Sequence, residues 1–195
     1  MAAYRLPFDN MPGWELWNGN WDDPVAGHGD DPFPVGGQAY AFDFGHHDGS
    51  SGKQIRAARD GNVIEVRNDI EINTYGWDAK KWADYLLLHP TEIQASVGGG
   101  SHVLVRHPGG TVAAYLHLAP NQSFVDKVGE PITQGQIIGL ADNTGTSKPA
   151  HIHFDVRAYW NKFGDQGPTQ PVYFEDANHE CWRPRVGDVL HSNNS

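Results

Sequence analysis

The sequence predicts an all-β domain built mainly of antiparallel strands, and three observations predict it. Apolar residues recur in short alternating runs rather than at helical spacing. The 23 glycines and 13 prolines among 195 residues cut the chain into pieces too short for long helices. Several pieces are joined by Gly-rich turn signals of the kind that close hairpins. At this length one hydrophobic core suffices. Residues 1–195 are therefore read as a single domain, with an N-terminal arm at 1–27, an insertion at 69–100 and a C-terminal tail at 175–195.

Composition narrows the partners. A formal charge of −10, from 24 acidic and 14 basic residues, gives no basic footprint for nucleic acid or an anionic membrane. Cys181 is the only cysteine, so no internal disulfide is expected. The first residues lack the apolar core of a signal peptide, and no stretch reaches the roughly 18 apolar residues of a spanning helix. A leader removed before Met1 would leave no trace in this chain.

The elements follow in order. Residues 1–27 gather Trp14, Trp17 and Trp21 among Asn, Asp, Gly and Pro, and read as an irregular arm that packs its aromatics over a sheet end or forms a stacking rim. His28 follows between two glycines, ahead of a Pro- and Gly-rich loop to Gly37. Gln38–Phe44 reads as a half-buried strand, with Tyr40, Phe42 and Phe44 on one face and Asp43 on the face of the small residues. A carboxylate there has room for a partner, which it needs if buried. His46 and His47 lie in the next loop. Residues 53–58 form a strand, Asp60-Gly61 a tight turn, and 62–67 the return strand.

Within the insertion, Asp78 caps a short helix through about Leu88, ended by Pro90, with Trp82, Tyr85 and Leu86 on one face. Residues 101–107 and 111–117 flank Pro108-Gly109-Gly110 as a hairpin, and strict alternation places His117 with Tyr115 and Ala113. Short apolar pieces run from Val125 to Leu140, a loop spans 142–149, and 172–174 reads as an edge strand. The run Ala150–Val156 alternates strictly, so Ile152, Phe154 and Val156 share one face and His151, His153 and Asp155 the other. Two residues of strand rise put those imidazoles about 7 Å apart, close enough to serve one metal ion and its water.

Six blocks carry a resemblance: Ala41–Gly45, Ala57–Val63, Ala114–Leu118, Val128-Gly129 through Gln134–Gly139, Asn143–Thr146 and His151–Asp155. In this order they resemble the lysostaphin-type or LytM-like zinc metallopeptidases that cut peptidoglycan cross-bridges. The likeness runs from about Gly27 to Phe174, interrupted at 69–100. It implies an open groove between antiparallel sheets, in a fold related to the biotinyl and lipoyl barrel-sandwich hybrids, and one Zn²⁺. It also implies that Asp43 and His153 bind the metal and that His117 and His151 are catalytic histidines. The family commonly places its first histidine four residues before the aspartate, where this chain has Ala39. His28 fits a longer-loop variant of that motif, with His46 and His47 as alternatives. The substrate implied is a peptidoglycan peptide, acted on by a monomer that is secreted or held at the cell envelope.

The chemistry agrees with the resemblance. Two imidazoles and a carboxylate suit Zn²⁺, and three protein ligands leave a fourth position open for water. No His-Glu-x-x-His helix supplies the usual glutamate base, so a histidine is the natural proton acceptor; which of His117 and His151 takes that part stays open. Asp155 either orients a histidine or is a plain surface carboxylate. Two rival readings differ in class: a non-catalytic family member that binds or scaffolds cell wall, and a carrier-like β-domain suggested by the 128–139 hairpin. The carrier reading lacks a lysine at a hairpin tip.

Overall fold

A computed structural model of the chain describes residues 3–19, 28 and 38–194. The first elements are β1 (Tyr4–Arg5), β2 (Trp14–Asn18), β3 (Phe42–His46), β4 (Gln54–Arg56), β5 (Gly61–Arg67), α1 (Ala79–Leu88) and α2 (Gln94–Gly99). β6 (Ser101–Arg106), β7 (Val112–Leu118), β8 (Pro131–Ile132), β9 (Ile137–Leu140) and β10 (Ile152–Arg157) follow. The short strands β11 (Trp160–Lys162), β12 (Asp165–Gln166), β13 (Phe174–Glu175) and β14 (Val189–Leu190) complete the order.

Eight strands join one antiparallel sheet in the order β14-β2-β3-β10-β7-β6-β5-β8. The all-β reading therefore holds, and the sheet stays open at its ends. β10 lies near its middle and is buried along its whole length. Its Ile152, Phe154 and Val156 enter the main core with Phe42, Phe44, Ala113 and Tyr115, which the β4–β9 pair covers through Ile55 and Ile138. Each such large side chain contributes roughly 1.5–3 kcal/mol on burial. A one-residue slip of β10 would forfeit all three and push His153 and Asp155 into hydrocarbon, so the alternation fixes the register.

Several sequence expectations shift. β3 begins at Phe42 rather than Gln38, because its neighbour β10 pairs no further than Phe42 and the chain turns through the Ala41 N–H to Gln38 carbonyl bond. It runs on to His46 because Trp14 pairs there. The arm is likewise not irregular throughout: Trp14–Asn18 is a sheet strand, with Trp14 fully buried, while Trp21 lies outside the described residues. Strands β4 and β5 are not hairpin partners; β4 pairs with β9, and β5 with β6 and β8. Gly61 answers a close approach instead of a turn, since a Cβ there would sit 2.5 Å from the Arg106 carbonyl oxygen.

The insertion contains the expected helix α1, capped by Asp78, whose carboxylate accepts from the Lys81 N–H at 2.8 Å. A second helix, α2, had no sequence signal, because its Gln-Ala-Ser-Val-Gly-Gly is short and glycine-rich. The expected edge strand at 172–174 falls at Phe174–Glu175, parallel to β1. Among the described residues no helix is long and apolar enough to cross a membrane.

Candidate metal centre

Asp43 and His153 face each other across the β3–β10 ladder, which sets both side chains on the face opposite the main core. His153 donates from Nδ1 to Asp43 Oδ1 at 2.9 Å, and its other nitrogen lies 3.4 Å from Asp155 Oδ2. His151, just before β10, brings Nε2 to 3.3 Å from the same Asp43 oxygen. The second oxygen accepts from Asn18 Nδ2 at 3.2 Å. His28 Nε2 is 3.1 Å from that oxygen but is not in hydrogen-bonding geometry, and it is shielded from solvent without another partner among the described residues. The ligand atoms of His28, Asp43 and His153 all lie within 4.8 Å of one another.

His117 reaches this cluster by breaking the alternation of its strand. Strict alternation would put it with Tyr115 and Ala113, which belong to the main core. Between the pairs Ser101–Leu118 and Val103–Tyr115, β7 carries one residue more than β6, and His117 has φ of 66°. A bulge with a left-handed non-glycine residue re-aims the side chain. The His117 ring consequently lies 4.9 Å from that of His151 and 6.0 Å from that of His153. Its Nδ1 donates to the Thr144 carbonyl at 2.8 Å, which leaves Nε2 without the proton. His151 is held similarly, donating from Nδ1 to the Pro149 carbonyl at 2.8 Å with Ser147 Oγ beside it.

The electrostatics divide these groups. Burial disfavours charge on Asp43, but contacts from His151, His153 and His28 outweigh it and hold the carboxyl well below its usual range. Burial also opposes charge on His153, yet Asp155 and Asp43 raise it to about 9. Asp155 is itself held near a pKa of about 2, because Arg157 and His153 overcome its burial. It is a buried carboxylate behind His153, which settles its place against a plain surface role. For His117, burial first and the neighbouring His151 and His153 second push the pKa well down, so this ring stays neutral.

His46 and His47, the alternatives for the first ligand, do not join the cluster. His46 packs edge-on against Trp14 and uses both nitrogens, donating from Nε2 to the Pro12 carbonyl and accepting the Asp48 N–H at Nδ1. The residues that sequence reasoning missed are positioning groups: Asn18, Thr144 and Ser147. Their only sequence signal is weak, since the 143–146 block marks Thr144 without showing that its carbonyl fixes a ring.

The cluster opens into a groove of about 1110 Å³. Its lining includes His28, Asp43, His117, His151 and His153 together with Trp77, Trp82 and Leu86 of the insertion. Fold and donor set together define an open-sheet β domain of metallopeptidase type. The chain belongs to Peptidase family M23, whose profile matches residues 40–166. It is 30% identical over 152 residues to the glycyl-glycine endopeptidase ALE-1 of Staphylococcus capitis, covering 76% of this chain and 33% of that protein. Lysostaphin of Staphylococcus simulans is 27% identical over the same length, at 76% and 24% coverage. This chain thus spans about a third or less of those relatives. In fold it is similar to a prophage-encoded M23 protein of Enterococcus faecalis, EnpA. The catalytic domain of that protein, in a mutant form, superposes with a TM-score of 0.52 at 17% identity, over 85% of this chain and 92% of that one.

Proposed function

We propose that this chain is a zinc-dependent endopeptidase that hydrolyses peptide bonds in peptidoglycan stem peptides or cross-bridges. The observation that carries the reading is the solvent-shielded His28 Nε2, which has no hydrogen bond among the described residues and is set within 4.8 Å of ligand atoms from Asp43 and His153, beside a neutral His117. His28, Asp43 and His153 would hold one Zn²⁺; a nitrogen–oxygen donor set and an otherwise orphaned nitrogen fit that ion. When bound there, the metal supplies Lewis-acid polarisation of a carbonyl and a water acidic enough to attack near neutrality. His153 would give Nδ1 to the ion in place of the proton it shares with Asp43, while Asp155, held by Arg157, keeps the ring oriented from behind.

His117 acts as the proton acceptor. Its pKa keeps it neutral, and Thr144 fixes the tautomer that leaves Nε2 free to take a proton from the attacking water. His151, locked by Pro149 with Nε2 turned towards Asp43, stabilises the developing oxyanion when protonated at Nε2, and the proton that His117 took from the water passes to the departing amine. Residues 1–195 act as one domain and as a monomer at the cell envelope, where such peptides occur.

The deciding experiment combines zinc content of the purified protein with release of new amino groups from isolated peptidoglycan. One equivalent of zinc and a chelator-sensitive release are expected. Zinc without release would leave a non-catalytic wall-binding domain in its place.

A further inference from the structure

Helix α1 carries Ala79, Trp82, Ala83 and Leu86 at i, i+3, i+4 and i+7, the spacing of a single helical face. Such a stripe ordinarily packs into a core, yet no residue of α1 is buried. The stripe lines the groove instead, in the same cavity as the histidine cluster. Trp77 braces it, with its ring edge-on to Trp82 at 5.2 Å and to Tyr85 at 5.5 Å. The apolar lining also includes Leu116, the residue just before His117, which packs with Trp160 and Phe163, and Ala95 of α2 adjoins them. A hydrocarbon-lined pocket therefore begins one residue away from the proposed proton acceptor.

We propose that the insertion builds an apolar subsite that covers the hydrocarbon part of a substrate side chain, such as an alanine methyl or the methylene stem of a diamino acid, one or two residues from the scissile bond. The chain then selects side-chain-bearing peptides over oligoglycine. This rests on the endopeptidase reading above. An extended peptide in the groove projects alternate side chains to opposite sides, so one bound over the histidines turns a neighbouring side chain towards Trp82, Leu86 and Leu116. Glycine offers nothing to that wall, and the apolar surface would stay wet. A single methylene in an apolar pocket discriminates about 10–200-fold, so an alanine methyl or a methylene stem has ample scope.

The test is competitive cleavage of equal-length peptides, one tetraglycine-centred and one with alanine or a diamino acid beside the central bond, read by mass spectrometry for wild type, Trp82→Ala and Leu86→Asp. Expected is a preference of about tenfold or more in kcat/KM for the side-chain-bearing peptide, falling towards parity in both variants. Oligoglycine cut equally well or better by wild type, or a preference that survives both substitutions, overturns the subsite. If neither peptide is cut, the endopeptidase reading is decided separately by amine release from peptidoglycan. The subsite is then decided by titrating both peptides into metal-stripped protein: tighter binding of the side-chain-bearing peptide, lost in Trp82→Ala, sustains it, and equal binding overturns it.

Discussion

Two clusters of the same composition, two histidines and an aspartate each, lie at the two ends of β3. His28, Asp43 and His153 form one; His46, His47 and Asp48 form the other. Spacing between donor atoms does not separate them, but the state of the nitrogens does. In the second cluster His46 is bonded through both nitrogens, His47 donates from Nδ1 to the Gly13 carbonyl at 3.1 Å, and the two rings stack at 4.8 Å. A cation would have to break those bonds, at about 0.5–1.5 kcal/mol each, in an exposed place where water competes. In the first cluster the ligand atoms are sheltered, His153 Nδ1 is bonded to Asp43 within the cluster itself, and His28 Nε2 has no hydrogen bond among the described residues. Donors turned towards one another rather than towards the backbone, more than residue types, mark a place for a metal.

The contrast can be broken most sharply by substitution of donors. Asp43→Ala and His153→Ala should reduce bound zinc from about one equivalent to near none by elemental analysis, whereas His46→Ala should keep it; zinc lost only from the His46 variant would reverse the assignment. Next in size is turnover. His117→Ala and His151→Ala should retain the metal but slow amine release from peptidoglycan by about 10²–10⁴-fold, the usual contribution of a positioned acid or base. Full-rate His117→Ala protein would rule out its proton-acceptor role.

Smaller effects sharpen the same comparison. Asp155→Asn should weaken zinc binding about 10–100-fold by calorimetry, because His153 loses the carboxylate that orients it; unchanged affinity would make Asp155 purely structural. His46→Ala should cost about 1–3 kcal/mol in denaturant unfolding, since it leaves the Pro12 carbonyl and the Asp48 N–H without their ring partner. The smallest effect concerns His107, outside both clusters. Burial pushes its pKa below the ordinary value, and Nε2 has no partner among the described residues. Below about pH 6.5 the unfolded chain therefore takes a proton that the folded one resists, and stability falls by up to about 1.4 kcal/mol per pH unit until the folded pKa is reached. His107→Gln should flatten that part of the stability profile between about pH 7 and 5, and an unaltered slope would refute it.

Legibility in the sequence followed the range of the interactions involved. Alternation from Ile152 to Val156, the Asp78 cap and the 101–117 hairpin were readable because each depends on residues within a turn or a strand of one another. The pairing of β4 with β9 was not, since nothing near Asp60-Gly61 says that the close contact is to Arg106 rather than a hairpin partner. His117 was named as a site residue, but its face was misplaced, because a bulge is a property of two strands and strict alternation is a property of one. The preference for His28 over His46 came only from the longer-loop motif of the resemblance, since the residues alone do not show which carbonyls each ring meets in space.

By itself the sequence determined the sheet class, the central strand with a hydrocarbon face and an imidazole face, and the residue types of the site. Period-two side-chain geometry and the cost of burying charge allow that strand little else. Tertiary structure decided which histidine stands beside Asp43, how His117 turns across its strand, and that the apolar stripe of α1 lines a groove rather than a core. Those outcomes depend on partners tens of residues away, and only the packed chain brings them within reach.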